Sequence, residues 1–172
     1  MIEQARALSA HVHAEQRDKL GAPYAAHPAR VARNAQSHPG FAALSADDQG
    51  AIICAGYLHD VVEDGPDYGF VITVDDLRER GFSTTTAEIV ELLTKPAETG
   101  DLDPYYAAIA AHPLARMVKL ADIADNTNAG RAAKLPAEMR NRLATKYVHA
   151  LDMLSLSSEE RGWLEELQQK DV

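Results

Sequence analysis

Gly56-Tyr57-Leu58-His59-Asp60-Val61-Val62-Glu63-Asp64-Gly65-Pro66 is the stretch around which the chain is organised. The apolar run Ala51-Ile52-Ile53-Cys54-Ala55 leads into an adjacent His-Asp pair, then an adjacent Glu-Asp pair, and stops at Gly-Pro. Glycine and proline just past a periodic segment are a helix stop signal. Ser45 followed by Asp47 and Asp48 supplies the start, an N-cap with an acidic first turn. The expectation is one helix carrying His59, Asp60, Glu63 and Asp64 in its last turns. The macrodipole is negative there, and each carboxylate is disfavoured by roughly 0.3–1 kcal/mol. A cation close by would offset that, and a histidine next to an aspartate points to a bound metal ion.

Outward from this stretch, nearly every apolar segment repeats at 3.6 residues, so the predicted fold class is all-α, a helical bundle. Residues 2–19 read as a first helix, with Ile2, Ala5, Leu8 and Val12 on one face, broken by Gly21-Ala22-Pro23. A second helix begins after His27-Pro28, carries Val31 inward and closes at His38-Pro39-Gly40. Val71 to Val74 is β-rich but short, and Thr73 with Asp75-Asp76 caps a short helix ending at Gly81. Further helices are expected over 85–93, 101–111 with Pro104 in the first turn, 114–126, 136–154 and, at the C-terminus, 157–170.

A chain of 172 residues has the length of one domain, expected to span 1–172. It buries roughly 70% of its unfolded surface and needs no disulfides. The single cysteine, Cys54, lies in an apolar run and reads as a small core residue rather than a nucleophile. One cysteine and no signal-peptide pattern fit a cytoplasmic setting. No stretch approaches the roughly 20 apolar residues that span a bilayer. The net charge of −9 argues against binding a nucleic-acid polymer. A small phosphorylated ligand remains compatible, since a local cluster of Arg and Lys can hold one.

Four residues are candidates to converge on one ion: His27 at a helix entrance, His59 and Asp60 near a helix end, and Asp122 among Leu120, Ala121, Ile123 and Ala124. A charged aspartate in such surroundings is expensive to bury without a partner. Two imidazoles and two carboxylates suit Mn, Fe, Co or Zn better than Ca or Mg, and leave positions for water and substrate. Residues four apart share a helix face, so Glu63 is expected above His59 and Asp64 above Asp60. The remaining histidines, His11, His13, His38, His112 and His149, have no such context and read as capping, surface or core residues.

In this order His27, His59-Asp60 and Asp122 resemble the HD superfamily of metal-dependent phosphohydrolases, whose pattern is a His, a His-Asp pair and a distant Asp. The similarity extends to the guanosine-polyphosphate hydrolase domain of RelA/SpoT-type alarmone enzymes and their stand-alone small hydrolases. It is carried by Gly21-Ala22-Pro23-Tyr24-Ala25-Ala26-His27-Pro28, Leu58-His59-Asp60-Val61-Val62-Glu63-Asp64, Leu93-Thr94-Lys95, and Val118-Lys119-Leu120-Ala121-Asp122 with Asn126, covering about residues 10–155. The resemblance implies an HD-type bundle holding one ion, usually Mn²⁺, between His27, His59, Asp60 and Asp122. It makes Glu63 and Asp64 the catalytic pair. It also implies substrate contacts from Asn126, from Tyr24 against base or ribose, and from Arg17 (with Lys19 as the alternative) on the purine face. The chain departs from the pattern at Asp125, before the Asn, and at Thr127-Asn128-Ala129 after it. Candidates for the phosphates are Arg116, Lys119, Arg131, Lys134 and Lys146.

The implied activity is removal of the 3′-pyrophosphate from guanosine tetra- or pentaphosphate by a stand-alone hydrolase. Two alternatives stand beside it: a phosphohydrolase acting on another nucleotide, such as a dinucleotide 2′- or 3′-phosphate, and a nucleotide-binding module without catalysis. The presence of both the His-Asp and the Glu-Asp pairs disfavours the last. A second ion would need histidines between the pair and the distal Asp, where only His112 lies.

Overall fold

The computed structural model describes residues 1–96 and 100–170. Among the described residues eleven α-helical segments follow one another: α1 Ile2–Val12, α2 Ala26–Gln36, α3 Ala46–Leu58, α4 Val61–Asp64, α5 Val74–Glu79, α6 Thr84–Leu93, α7 Asp103–Ala111, α8 Pro113–Asn126, α9 Ala129–Ala132, α10 Ala137–Leu154 and α11 Ser158–Gln169. Among the described residues the only β pairing is an isolated bridge between Arg17 and Pro23. The short β-rich run 71–74 forms no strand. Val71 is 81% exposed, while Thr73 caps α5 in a reciprocal capping box with Asp76.

The centre of the molecule is α8. Every residue from Met117 to Asp125 is buried, which a helix manages only when neighbours cover it all round. Those neighbours are α2, α3, α6, α7, α10 and α11. Ile52, Ala55 and Leu58 of α3 join Val118, Leu120 and Ile123 of α8 in the apolar core. Cys54 is part of that core, and burial pushes its thiol pKa up. Among the described residues no helix is long and apolar enough to cross a membrane.

Two local features set the position of the central stretch. Gly56 permits close packing of α3 on α2: a Cβ there would lie 2.7 Å from the Ala32 Cα. The predicted continuous helix through Asp64 is interrupted at His59-Asp60. α3 ends at Leu58, and Asp60, at φ −103 and ψ −4, precedes the single turn α4. The His59 ring explains the interruption, since its Nδ1 donates to the Gly56 carbonyl at 3.0 Å and takes an acceptor from the helix end. The Asp64 amide still bonds the Asp60 carbonyl at 2.8 Å, so the one-turn spacing of the acidic pair survives the break.

The first helix is shorter than the predicted 2–19. It ends at Val12, and residues 13–25 form a hook in which the Tyr24 amide bonds the Gln16 carbonyl at 2.9 Å. Asp18, which falls within that predicted helix, instead accepts from the amides of Leu20 and Ala22, both at 2.9 Å. Gly21 supplies the left-handed φ of +80 that this turn requires. The hook delivers the chain into α2, which starts at Ala26 and so places His27 in its first turn.

Candidate metal centre

His27, His59 and Asp122 reach one point from α2, the end of α3 and α8, with a ligand atom of each within 4.8 Å of the others. Asp60 completes the group. Its Oδ2 lies 3.0 Å from His59 Nε2 and 3.7 Å from His27 Nε2, and the Tyr24 hydroxyl donates to the same oxygen at 2.5 Å. His27 is 2% exposed, His59 3% and Asp122 6%, so all three are withdrawn from bulk solvent.

The tautomers follow from what lies behind the rings. His27 Nδ1 faces Asp125 Oδ2 at 2.7 Å, and His59 Nδ1 faces the Gly56 carbonyl, both acceptors. Each Nδ1 therefore carries a hydrogen, and each ring, when neutral, presents its lone pair at Nε2. Both Nε2 atoms are buried without a hydrogen-bond partner. Asp122 Oδ1 is 3.3 Å from that of His27 but out of hydrogen-bond alignment. Two buried Nε2 atoms beside carboxylates are the donor set of a divalent cation, and a backing carboxylate of the Asp125 kind is its usual outer support. The residues present fit a metal ion.

The electrostatics demand positive charge at this point. Burial opposes protonation of His27, yet Asp122 and Asp125 outweigh it and raise its pKa to about 9. His59 shifts the same way because Asp60 overcomes its burial. Burial pushes Asp122 up, but the Lys119 ammonium 2.9 Å away holds it well below the usual carboxylate range. Asp125 is held at about 2, against burial, by His27 and by Arg30, whose Nη2 is 3.0 Å distant.

The centre opens into a cavity of about 300 Å³. Glu63 and Asp64 both line it, with different surroundings. Both Glu63 oxygens are engaged by Lys95, through its amide at 3.1 Å and its Nζ at 2.5 Å. Asp64 Oδ2 accepts from Gln16 Nε2 at 2.8 Å. Lys95, Lys119 and Lys146 share the wall, and burial together with the other two ammonium groups lowers the pKa of Lys146.

The remaining predicted positions divide. Arg17 and Lys19 line the cavity mouth and are exposed. Asn126 donates to Asp122 Oδ1 at 2.6 Å, and the Tyr24 hydroxyl is committed to Asp60, so both hold carboxylates beside the two imidazoles. Tyr24 has its ring between those of His13 and His27, with centroids 5.2 Å from each. Of the cations considered for phosphate, Lys119, Arg131 and Lys146 line the cavity. Arg116 instead binds Glu160 and the Leu154 carbonyl outside the cavity, and Lys134 is an exposed side chain off its wall. Three participants escaped the sequence reading: Asp125, visible as a second acid three residues from Asp122 on the same helix face, and His13 with Gln16, for which no pattern in the chain gave warning.

The HD domain family profile matches residues 24–154, a span that contains His27, His59, Asp60 and Asp122. This chain is a member of the HD domain family. Among relatives, this HD domain protein is 39% identical over 95 residues, 55% of its length, to a probable guanosine-3′,5′-bis(diphosphate) 3′-pyrophosphohydrolase of Synechocystis sp.. It is 27% identical over 174 residues, 94% of its length, to the guanosine-3′,5′-bis(diphosphate) 3′-pyrophosphohydrolase of Aquifex aeolicus. It spans only 11% and 23% of the lengths of those two curated relatives. The fold matches a solved metazoan ortholog of SpoT, described as hydrolysing ppGpp, with a TM-score of 0.73 at 22% identity, covering 96% of this chain and 92% of that one.

Proposed function

We propose that this HD domain protein is a cytoplasmic hydrolase that removes the 3′-pyrophosphate from guanosine tetra- or pentaphosphate, giving GDP or GTP plus pyrophosphate, with one Mn²⁺ as its metal. The observation that carries the proposal is the pairing of two orphaned imidazole Nε2 atoms with a cavity lined by an acidic pair and by Lys95, Lys119 and Lys146. The named activity of the Synechocystis and Aquifex relatives selects the substrate among phosphorylated nucleotides.

His27, His59, Asp60 and Asp122 would hold the ion, which when bound supplies Lewis acidity to a phosphoryl oxygen and lowers the pKa of water. Tyr24 and Asn126 keep Asp60 and Asp122 in place as ligands. Asp64, with Oδ2 held by Gln16, takes the proton of the attacking water on its other oxygen; a positioned base contributes roughly 10²–10⁴ in rate. Glu63 holds Lys95 at the cavity wall, where Lys95, Lys119 and Lys146 neutralise the pyrophosphate. Arg17 and Lys19, which line the cavity, would meet the purine, since a guanidinium stacks well on an aromatic face.

Purified protein loaded with Mn²⁺ is expected to convert guanosine tetraphosphate to GDP and pyrophosphate, resolved by anion-exchange chromatography. Absence of turnover with a full equivalent of bound metal overturns the proposal. Release of phosphate from a dinucleotide 2′- or 3′-phosphate under the same conditions would reassign the substrate and keep the centre.

A further inference from the structure

We propose that His13 and Gln16 form a positioning relay that fixes the direction of the Gln16 amide and, through it, the carboxylate of Asp64. The proposal rests on the catalytic role given above to Asp64. Two of the three residues, His13 and Gln16, lie in the hook after α1, and the third lies at the end of α4. His13 Nδ1 lies 2.6 Å from Gln16 Oε1, and Gln16 Nε2 lies 2.8 Å from Asp64 Oδ2. His13 is 0% exposed and Gln16 8%, so the His13–Gln16 contact is withdrawn from bulk solvent.

The chemistry of the amide determines the order. A primary amide offers an acceptor at one end and donors at the other, and an ionised carboxylate can only accept. Nε2 of Gln16 must therefore face Asp64, which turns Oε1 toward His13 and requires the hydrogen on His13 Nδ1. Burial lowers the His13 pKa and keeps the ring neutral, so Nε2 bears a lone pair. That atom is buried and unpartnered. A buried acceptor without a donor is tolerated better than an orphaned N–H, which selects the same tautomer.

His13 thereby holds the end of the amide that Asp64 does not. With a donor at this position the Gln16 oxygen is occupied. With an apolar group there, Oε1 is buried without a donor, and the amide is free to turn away from Asp64 to find one. Asp64 would then leave its rotamer. Among the described residues no other side chain bonds Asp64, so the relay alone holds Oδ2 and leaves the second oxygen for the cavity. Glu63 needs no such device, because Lys95 grips both of its oxygens.

The test compares wild type, His13→Phe, Gln16→Leu and His13→Asn, each checked for a native melting transition and for bound Mn²⁺. Asparagine places an N–H where the imidazole Nδ1 stands. With guanosine tetraphosphate as substrate, His13→Phe and Gln16→Leu are expected to lose roughly 10–100-fold in kcat, the scale of one hydrogen bond to a charged group. KM and metal content should stay within about twofold, and His13→Asn should recover most of kcat. Unchanged kcat in both damaging variants, with wild type active, overturns the relay and leaves the proposed activity standing. A wild type inactive on guanosine tetraphosphate removes the proposed activity instead. The relay is then decided by long-range ¹H–¹⁵N spectra of the metal-free wild type, where His13 as the Nδ1–H tautomer supports it and as the Nε2–H tautomer overturns it.

Discussion

Each end of α8 carries a charged group that meets a histidine, and the two meetings differ in one respect. Near the N-terminal end, Arg116 binds Glu160 through Nη2 at 2.9 Å and through Nη1, with its Nε donating to the Leu154 carbonyl at 2.8 Å. His38 joins with Nε2 3.2 Å from Glu160 and Nδ1 accepting from the Gly40 amide at 3.1 Å. Glu160 also closes the capping box of α11 with Ser157. Every polar atom there has a protein partner. Toward the C-terminal end, around Asp122, two imidazoles of equal burial have their Nδ1 atoms supported and their Nε2 atoms bare. A saturated cluster clamps one helix to another. A cluster saturated on its outer side and bare on its inner side is built for something that arrives from outside the chain.

The contrast is most sharply tested at the bare cluster. His59→Ala is expected to lose bound Mn²⁺ and about 10³-fold or more in turnover, since the ion's contribution is several kcal/mol. Asp64→Ala should keep the metal, measured by elemental analysis, and lose roughly 10²–10⁴ in kcat. Retention of stoichiometric metal by His59→Ala would erase the distinction between the two ends of α8.

A smaller effect is expected one layer out. Asp125→Asn removes the charge behind His27 that Arg30 and Arg131 share, and outer-shell carboxylates of this kind are worth roughly 10–100-fold in metal affinity. Isothermal titration with Mn²⁺ measures it, and an unaltered Kd would mean that Asp125 serves only the two arginines.

The least change in function and a clear change in stability are expected from Glu160→Gln. Loss of a charged acceptor is worth about 2 kcal/mol, or roughly 4–8 °C in Tm for a chain of this size, with Mn²⁺ affinity unaltered. The Arg116 guanidinium holds the Glu160 pKa down at about 2, against an ordinary carboxyl value of 4.5. A depressed folded-state pKa stabilises fully above the unfolded value and is lost on acidification. The gap in Tm between wild type and variant should therefore be constant above about pH 5 and shrink as pH falls toward 2. A gap that widens on acidification would contradict the assignment of the clamp to the ionised carboxylate.

The amino-acid sequence determined the helices, because 3.6-residue periodicity and caps such as Ser45, Thr73 and Ser157 are local signals with local causes. It also offered His27, His59-Asp60 and Asp122 as one group, since a buried aspartate and an acidic helix end each need a cation wherever they lie. It misjudged the break at His59, which depends on a ring folding back on Gly56, and the hook after Val12, which depends on Asp18 capping a turn rather than ending a helix. Only the tertiary structure decided which neighbours those groups meet: Asp125 behind His27, Gln16 and His13 behind Asp64, Lys95 on Glu63, and Arg116 turned away from the cavity. Such partners lie up to about a hundred residues apart along the chain, and hydrogen bonding between them leaves no periodicity to read.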